Sequence, residues 1–178
     1  MKHIQSSFLS FLLVVFVMVG CGESKPKQKT VNHDAHNGHA EAVTNSVQFE
    51  DISHSEVVHA YLALKDALVA TDGNATQMAA QKLADVAGEG FSEIQSYAKE
   101  MAASTDTEAQ RIHLESLSKA VLTMVEKSEL TEGNLYVQYC PMAFDNKGAS
   151  WLSASDQIRN PYFGDKMLKC GVVEKTLE

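Results

Sequence analysis

Cys140-Pro141-Met142 and Met167-Leu168-Lys169-Cys170 place two cysteines and two methionines where they could act together. Thiolate and thioether sulfurs are soft donors that select cuprous or silver ion over hard cations. In the first segment a stiff proline separates thiolate from thioether. In the second, the i, i+3 spacing predicts that Met167 and Cys170 share one face of a helical turn over 165–169, ended by Gly171 in a left-handed conformation. If the segments meet, four sulfurs converge on one Cu(I) or Ag(I), and two or three would suffice. Zinc would need the two thiolates plus His113, because thioethers are poor zinc ligands. A Cys140–Cys170 disulfide is the competing reading. It would close a loop of about 30 residues, worth roughly 3–4 kcal/mol by the chain-entropy argument, and leave Met142 and Met167 as core. Spacing alone favours the disulfide.

The amino terminus sets the compartment. Lys2 and His3 precede an apolar run, Phe8 to Gly20, too short to span a bilayer and typical of an export signal. It ends in Met18-Val19-Gly20-Cys21, which resembles the bacterial lipobox. The resemblance implies cleavage before Cys21 and acylation of that residue, and more than one acyl chain makes a stable anchor. Gly22, where an Asp would favour inner-membrane retention, points to the outer membrane, facing the periplasm, in a Gram-negative cell. Such a compartment permits disulfides. Residues 22–50 lack helical or strand periodicity. His33, His36 and His39 recur there at i, i+3, i+6 around Asp34, a spacing suited to a weak collecting arm for metal or to a solvated tether. The chain thus divides into a signal (1–20), an anchor and linker (21–50), and a folded domain (51–178).

The elements that must position the sulfurs come next. Ser53-His54-Ser55-Glu56 fits a capping box, with Val57, Val58, Tyr61, Leu62, Leu64, Leu68 and Val69 at mostly helical spacing behind it as far as Thr71. Asn74 to Gln77 restarts a helix whose buried face is expected to carry Met78, Leu83, Val86 and Ala87. Gly88-Glu89-Gly90 breaks it, and Phe91, Ile94, Tyr97, Ala98 and Met101 continue. Thr105 to Glu108 opens a long helix bearing Ile112, Leu117, Val121, Met124 and Val125 and ending near Glu132-Gly133-Asn134. Met78, Met101 and Met124 read as core filler. Short connections between amphipathic helices predict a mainly α, up-and-down bundle of three to four helices. An irregular Cys/Met-containing segment follows. In it Leu135 to Tyr139 reads as extended, Asp145-Asn146-Lys147-Gly148 as a turn, Trp151 and Leu152 as a return to the core, and Asn160-Pro161 as a second turn.

The motif formed by Tyr139-Cys140-Pro141-Met142-Ala143, Trp151-Leu152, Asn160-Pro161-Tyr162-Phe163-Gly164 and Met167-Leu168-Lys169-Cys170-Gly171 resembles a family of uncharacterised bacterial exported domains. Related domains occur fused to the periplasmic adaptor subunits of copper/silver efflux pumps. The resemblance covers about residues 55 to 178. It implies a mostly helical bundle and a heavy-metal context, with Cys140, Met142, Met167 and Cys170 as the matching positions. The chain departs from the adaptors in lacking their hairpin and barrel segments.

Composition narrows the function classes. The chain is 44% hydrophobic and 21% charged, as ordinary folded proteins are, with a formal net charge of −8. An acidic chain without a basic stripe is unsuited to nucleic acid or to charge-driven lipid adhesion. No phosphate-binding glycine loop, serine-nucleophile elbow or His-Glu-x-x-His pattern is present. The absence of Cys-x-x-Cys argues against a thiol-redox enzyme. The expectation is a non-enzymatic, lipid-anchored protein that binds copper(I), alone or for an efflux adaptor. The alternative is a disulfide-clamped interaction domain of the envelope.

Overall fold

The computed structural model describes residues 47–178. The signal, Cys21 and the His33, His36 and His39 cluster lie outside the described residues. Four helices form the body: α1 (Ile52–Val69), α2 (Gly73–Ala87), α3 (Ser92–Ala102) and α4 (Thr107–Val125). Each packs on the next, and α4 returns to α1, as an up-and-down bundle requires. Among the described residues no helix is long and apolar enough to cross a membrane.

The helix starts fall close to the expected caps but on different residues. Asp51, Asp72 and Asp106 cap α1, α2 and α4, their carboxylates accepting from Ser53, Ala75 and Ala109 N–H at 2.8, 2.9 and 2.9 Å. A carboxylate at this position satisfies a free N–H and opposes the positive end of the helix dipole, so it outcompetes the nearby Ser53, Asn74 and Thr105. The break at Gly88-Glu89-Gly90 is observed, as a 3₁₀ turn over Glu89–Phe91.

α1 is the central helix. Its buried side chains, among them Val57, Val58, Tyr61, Leu64 and Leu68, occupy most of its circumference, the pattern of a helix surrounded by protein. Two positions expected inside are outside: Met78 on α2 is 69% exposed and Ile112 on α4 is 65% exposed. On α4 the buried stripe runs through Gln110, Arg111, Leu114, Leu117, Ser118, Val121 and Val125. It admits Gln110 and Arg111 because both find backbone carbonyls to donate to. Met101 is fully buried, as expected.

α4 stops at Val125, short of the expected end near Glu132-Gly133-Asn134. Leu130–Glu132 (β2) instead pairs antiparallel with Gln48–Phe49 (β1). Val47 is fully buried, so the folded part begins upstream of the expected boundary at residue 51. The carboxy-terminal segment is more regular than expected. Leu135–Cys140 (β3) lies between Ala149–Ser153 (β4) and Val172–Leu177 (β5) in an antiparallel sheet of order β4-β3-β5. β5 was not legible because its residues are mostly exposed, so no burial alternation marks it.

A three-point contact joins sheet to bundle. The Leu152 N–H donates to the Tyr61 hydroxyl at 3.1 Å, and that hydroxyl lies 2.7 Å from Ser118 Oγ. One phenol therefore fastens α1, α4 and β4.

Candidate functional site

The two thiols meet at one end of the sheet. Cys140 is the last residue of β3, paired with Ala149 on β4 and fully buried. Cys170 is half-buried and immediately precedes the glycine that leads into β5. Their sulfurs lie 3.1 Å apart and both cysteines are free. The nearest β3–β5 rung is Tyr139 with Val172, so sheet pairing brings the segments together. Gly171 permits the approach: a Cβ there would come 2.9 Å from both the Trp151 ring and the Tyr139 carbonyl oxygen, and φ is +150°. The adjacent Cys140 thiol and burial raise the pKa of Cys170 above its ordinary range.

Asn160 sets the position of Cys170. Fully buried, it donates from Nδ2 to the Cys170 carbonyl at 2.7 Å, and its Oδ1 accepts from Tyr162 N–H at 2.8 Å and Phe163 N–H at 3.3 Å. Its own N–H donates to the Leu168 carbonyl at 2.8 Å. One amide thus folds residues 160–170 back on themselves. The Asn160-Pro161 turn read from the sequence is real.

Arg111 holds that same loop against the bundle. Only 3% exposed, it donates from Nε to the Pro161 carbonyl at 2.9 Å, and from Nη2 to the Leu68 carbonyl and Thr71 Oγ1, both at 3.1 Å. Its remaining partner is Glu108, at 2.9 Å from Nη1. Gly164, at φ +56°, packs beside it, and a Cβ there would fall 2.2 Å from Thr71 Oγ1. Sequence reasoning missed Arg111. Its only signal was a helix register in which Arg111, rather than Ile112, joins the stripe through Leu114, Leu117 and Val121.

The methionines are arranged differently from expectation. The segment before Cys170 is not a helical turn over 165–169. A 3₁₀ turn covers Gly164–Lys166, Met167 leaves it at φ −150° and ψ 52°, and Cys170 N–H then bonds to the Met167 carbonyl at 3.0 Å. Met167 and Cys170 therefore occupy the two ends of a β-turn, which keeps their backbones close. Met167 is half-buried. Met142 is 46% exposed although Cys140, two residues earlier, is fully buried, so the two sulfurs of Cys-Pro-Met do not share one environment. Beyond Met142 the chain makes a left-handed turn through Phe144, Asp145 and Asn146 (φ 49°, 56° and 67°), closed by a Gly148 N–H bond to the Ala143 carbonyl at 3.0 Å. Left-handed backbone costs about 1–2 kcal/mol per non-glycine residue. Packing offsets part of that cost, since the Phe144 ring meets Tyr162 edge-on at 5.5 Å and Tyr162 meets Trp151 at 6.0 Å.

His113 is engaged elsewhere. Its Nδ1 lies 2.9 Å from Glu100 Oε2, across the α3–α4 pair. Among the described residues no three His, Cys, Asp or Glu side chains converge as a metal site. The structure therefore does not assemble the zinc arrangement of two thiolates with His113. A cavity of about 340 Å³ between α4 and the sheet, lined by Glu115, Ser118, Lys119, Tyr139, Lys147 and Leu152 among others, contains neither thiol.

A family model described as a protein of unknown function (DUF3347) matches residues 57–133. The similarity runs from α1 to the loop after β2, less than half of the chain, and stops before Cys140. No curated protein and no solved structure matches the chain.

Proposed function

We propose that the protein is a lipid-anchored extracytoplasmic binding protein, not an enzyme, that captures a soft monovalent metal ion, Cu(I) or Ag(I), on the Cys140–Cys170 dithiol. In this reading residues 1–20 are a signal, Cys21 carries the lipid, and the domain faces the periplasm from the outer membrane. His33, His36 and His39 collect the ion and a heavy-metal efflux adaptor receives it.

One observation carries the reading: two unbonded thiols 3.1 Å apart, with a methionine within three residues of each. Metal–thiolate bonds of about 2.3 Å put two sulfurs about 4.0 Å apart at a three-coordinate centre. Opening the pair from 3.1 Å by about 0.9 Å would admit an ion, a movement within reach of a side-chain rotation at half-buried Cys170. The donor set fits a soft ion. It offers thiolates and flanking thioethers, and among the described residues no carboxylate or imidazole cluster gathers around them. In this reading Met167, whose carbonyl accepts from the Cys170 N–H, is the third donor, and exposed Met142 makes first contact with an incoming ion.

The test is anaerobic titration of Cu(I) against a chromophoric chelator, using the reduced mature chain in a Cys21→Ser background. One Cu(I) per chain, lost in Cys140→Ser and in Cys170→Ser, is expected. Failure of the fully reduced protein to compete for Cu(I) sinks the metal reading and leaves the disulfide-clamped interaction domain.

A further inference from the structure

We propose that Cys170 is a redox-modification site. Its thiol exchanges with a low-molecular-weight disulfide, and Cys140 resolves the product into a Cys140–Cys170 disulfide. The order follows from burial and backbone. Attack on an external disulfide needs a sulfur that the reagent can reach in line with the S–S bond. Cys140 is fully buried and its backbone is held in β3 between two strands. Cys170 is half-buried, lies at the end of a turn rather than within a strand, and reaches solvent. Cys170 is therefore the entry thiol and Cys140 the resolving one.

The chemistry balances. Cys170 gives its proton to water and the resulting thiolate attacks one sulfur of the small disulfide, the S–S bond breaks, and a small thiolate leaves. That thiolate takes up the Cys140 proton. The Cys140 sulfur then attacks Cys170 Sγ, forming the internal S–S bond and expelling the second small thiolate, which takes a proton back from water. Two electrons pass from the protein dithiol to the reagent, which departs as two thiols. The second step needs a sulfur–sulfur approach from 3.1 Å to a bond of about 2.05 Å. The mixed disulfide is therefore short-lived whenever Cys140 is present. This closure also regulates the proposed metal site, because a disulfide offers no thiolate. That last consequence alone rests on the metal reading.

The experiment uses metal-free, reduced mature chain in a Cys21→Ser background, treated with oxidised glutathione and followed by intact-mass spectrometry. Wild type should lose both thiols and two hydrogens, with no adduct accumulating. Cys140→Ser, and Cys140→Ala as a second variant in case serine disturbs the core, should accumulate one glutathionyl adduct, on Cys170. Cys170→Ser should react at least about tenfold more slowly, because thiol exchange follows access to the sulfur. Equal rates for wild type and Cys170→Ser, or a persistent adduct on wild type, overturn the assignment. Cu(I) titration of the oxidised protein then separates the two proposals. Loss of binding that returns on reduction supports the gate. If the reduced protein binds no Cu(I), the metal reading and the gate fall together and the exchange result stands by itself.

Discussion

Arg111 and Pro161, fifty positions apart, are joined by one hydrogen bond of 2.9 Å from the Arg111 Nε–H to the Pro161 carbonyl. Through it the long fourth helix grips the loop that delivers Cys170. The same guanidinium also caps the end of α1 at Leu68 and Thr71. A rigid planar fork with several donors suits this place, and an ammonium does not reproduce it.

Arg111→Met should lower unfolding free energy by about 1–3 kcal/mol, because the buried Pro161 carbonyl loses its side-chain donor while the Leu68 carbonyl keeps only the Thr71 N–H. Arg111→Lys should recover little of it. Glu108→Gln provides the control. Its carboxylate is 65% exposed, and an exposed ion pair contributes about 0–1 kcal/mol. Urea unfolding of the three variants decides the matter. If Glu108→Gln costs as much as Arg111→Met, the ion pair rather than the carbonyl contacts holds the loop.

Asn160 makes a second prediction, specific to the dithiol. Asn160→Ala removes the donor to Cys170 and the acceptor for Tyr162 and Phe163, at an expected cost of about 2–3 kcal/mol. Asn160→Asp keeps the acceptor but sets a carboxylate against the Cys170 carbonyl. Both should slow formation of the Cys140–Cys170 disulfide under oxidised glutathione, with Asp intermediate or worse in stability. The rate of thiol loss is the readout. An unchanged rate in both variants would show that sheet pairing alone positions Cys170.

The third prediction concerns pH. Burial raises the Tyr61 phenol from 10.0 to about 12, despite its hydrogen bonds to Ser118 and Leu152. Tyr162 shifts in the same direction, also by burial. Between pH 10 and about 12 the folded chain therefore holds a proton at Tyr61 that the unfolded chain releases. The sign follows: this contribution is complete below pH 10 and is lost as pH rises towards 12. Urea midpoints should be level through mildly alkaline pH and fall above about 10. Tyr61→Phe should cost about 1–3 kcal/mol at neutral pH, since the Leu152 N–H loses its acceptor, and should flatten the alkaline fall. An alkaline slope identical to wild type would remove Tyr61 as its source.

Local pattern alone sufficed for much of this protein. The helical spacing of Val57, Val58, Tyr61 and Leu64, the break at Gly88-Glu89-Gly90, the extended run from Leu135, and the turns at Asp145 to Gly148 and at Asn160-Pro161 all follow from periodicity and residue chemistry that a short stretch carries. The meeting of the Cys-Pro-Met and Met-x-x-Cys segments was posed by the sequence as a condition. Tertiary structure decided the rest, because those features depend on partners distant in the chain. Register on α4 was settled by whether carbonyls at Gly73, Ser104, Leu68 and Pro161 were available to Gln110 and Arg111. That availability put Arg111 inside and Ile112 outside. β5 exists because β3 offers it a free edge. Cys140 and Cys170 lie 3.1 Å apart because that pairing, a glycine at 171 and the buried Asn160 amide bring two remote segments to one place. Residue type determined which chemistry the sulfurs could perform, and the fold determined which sulfurs meet.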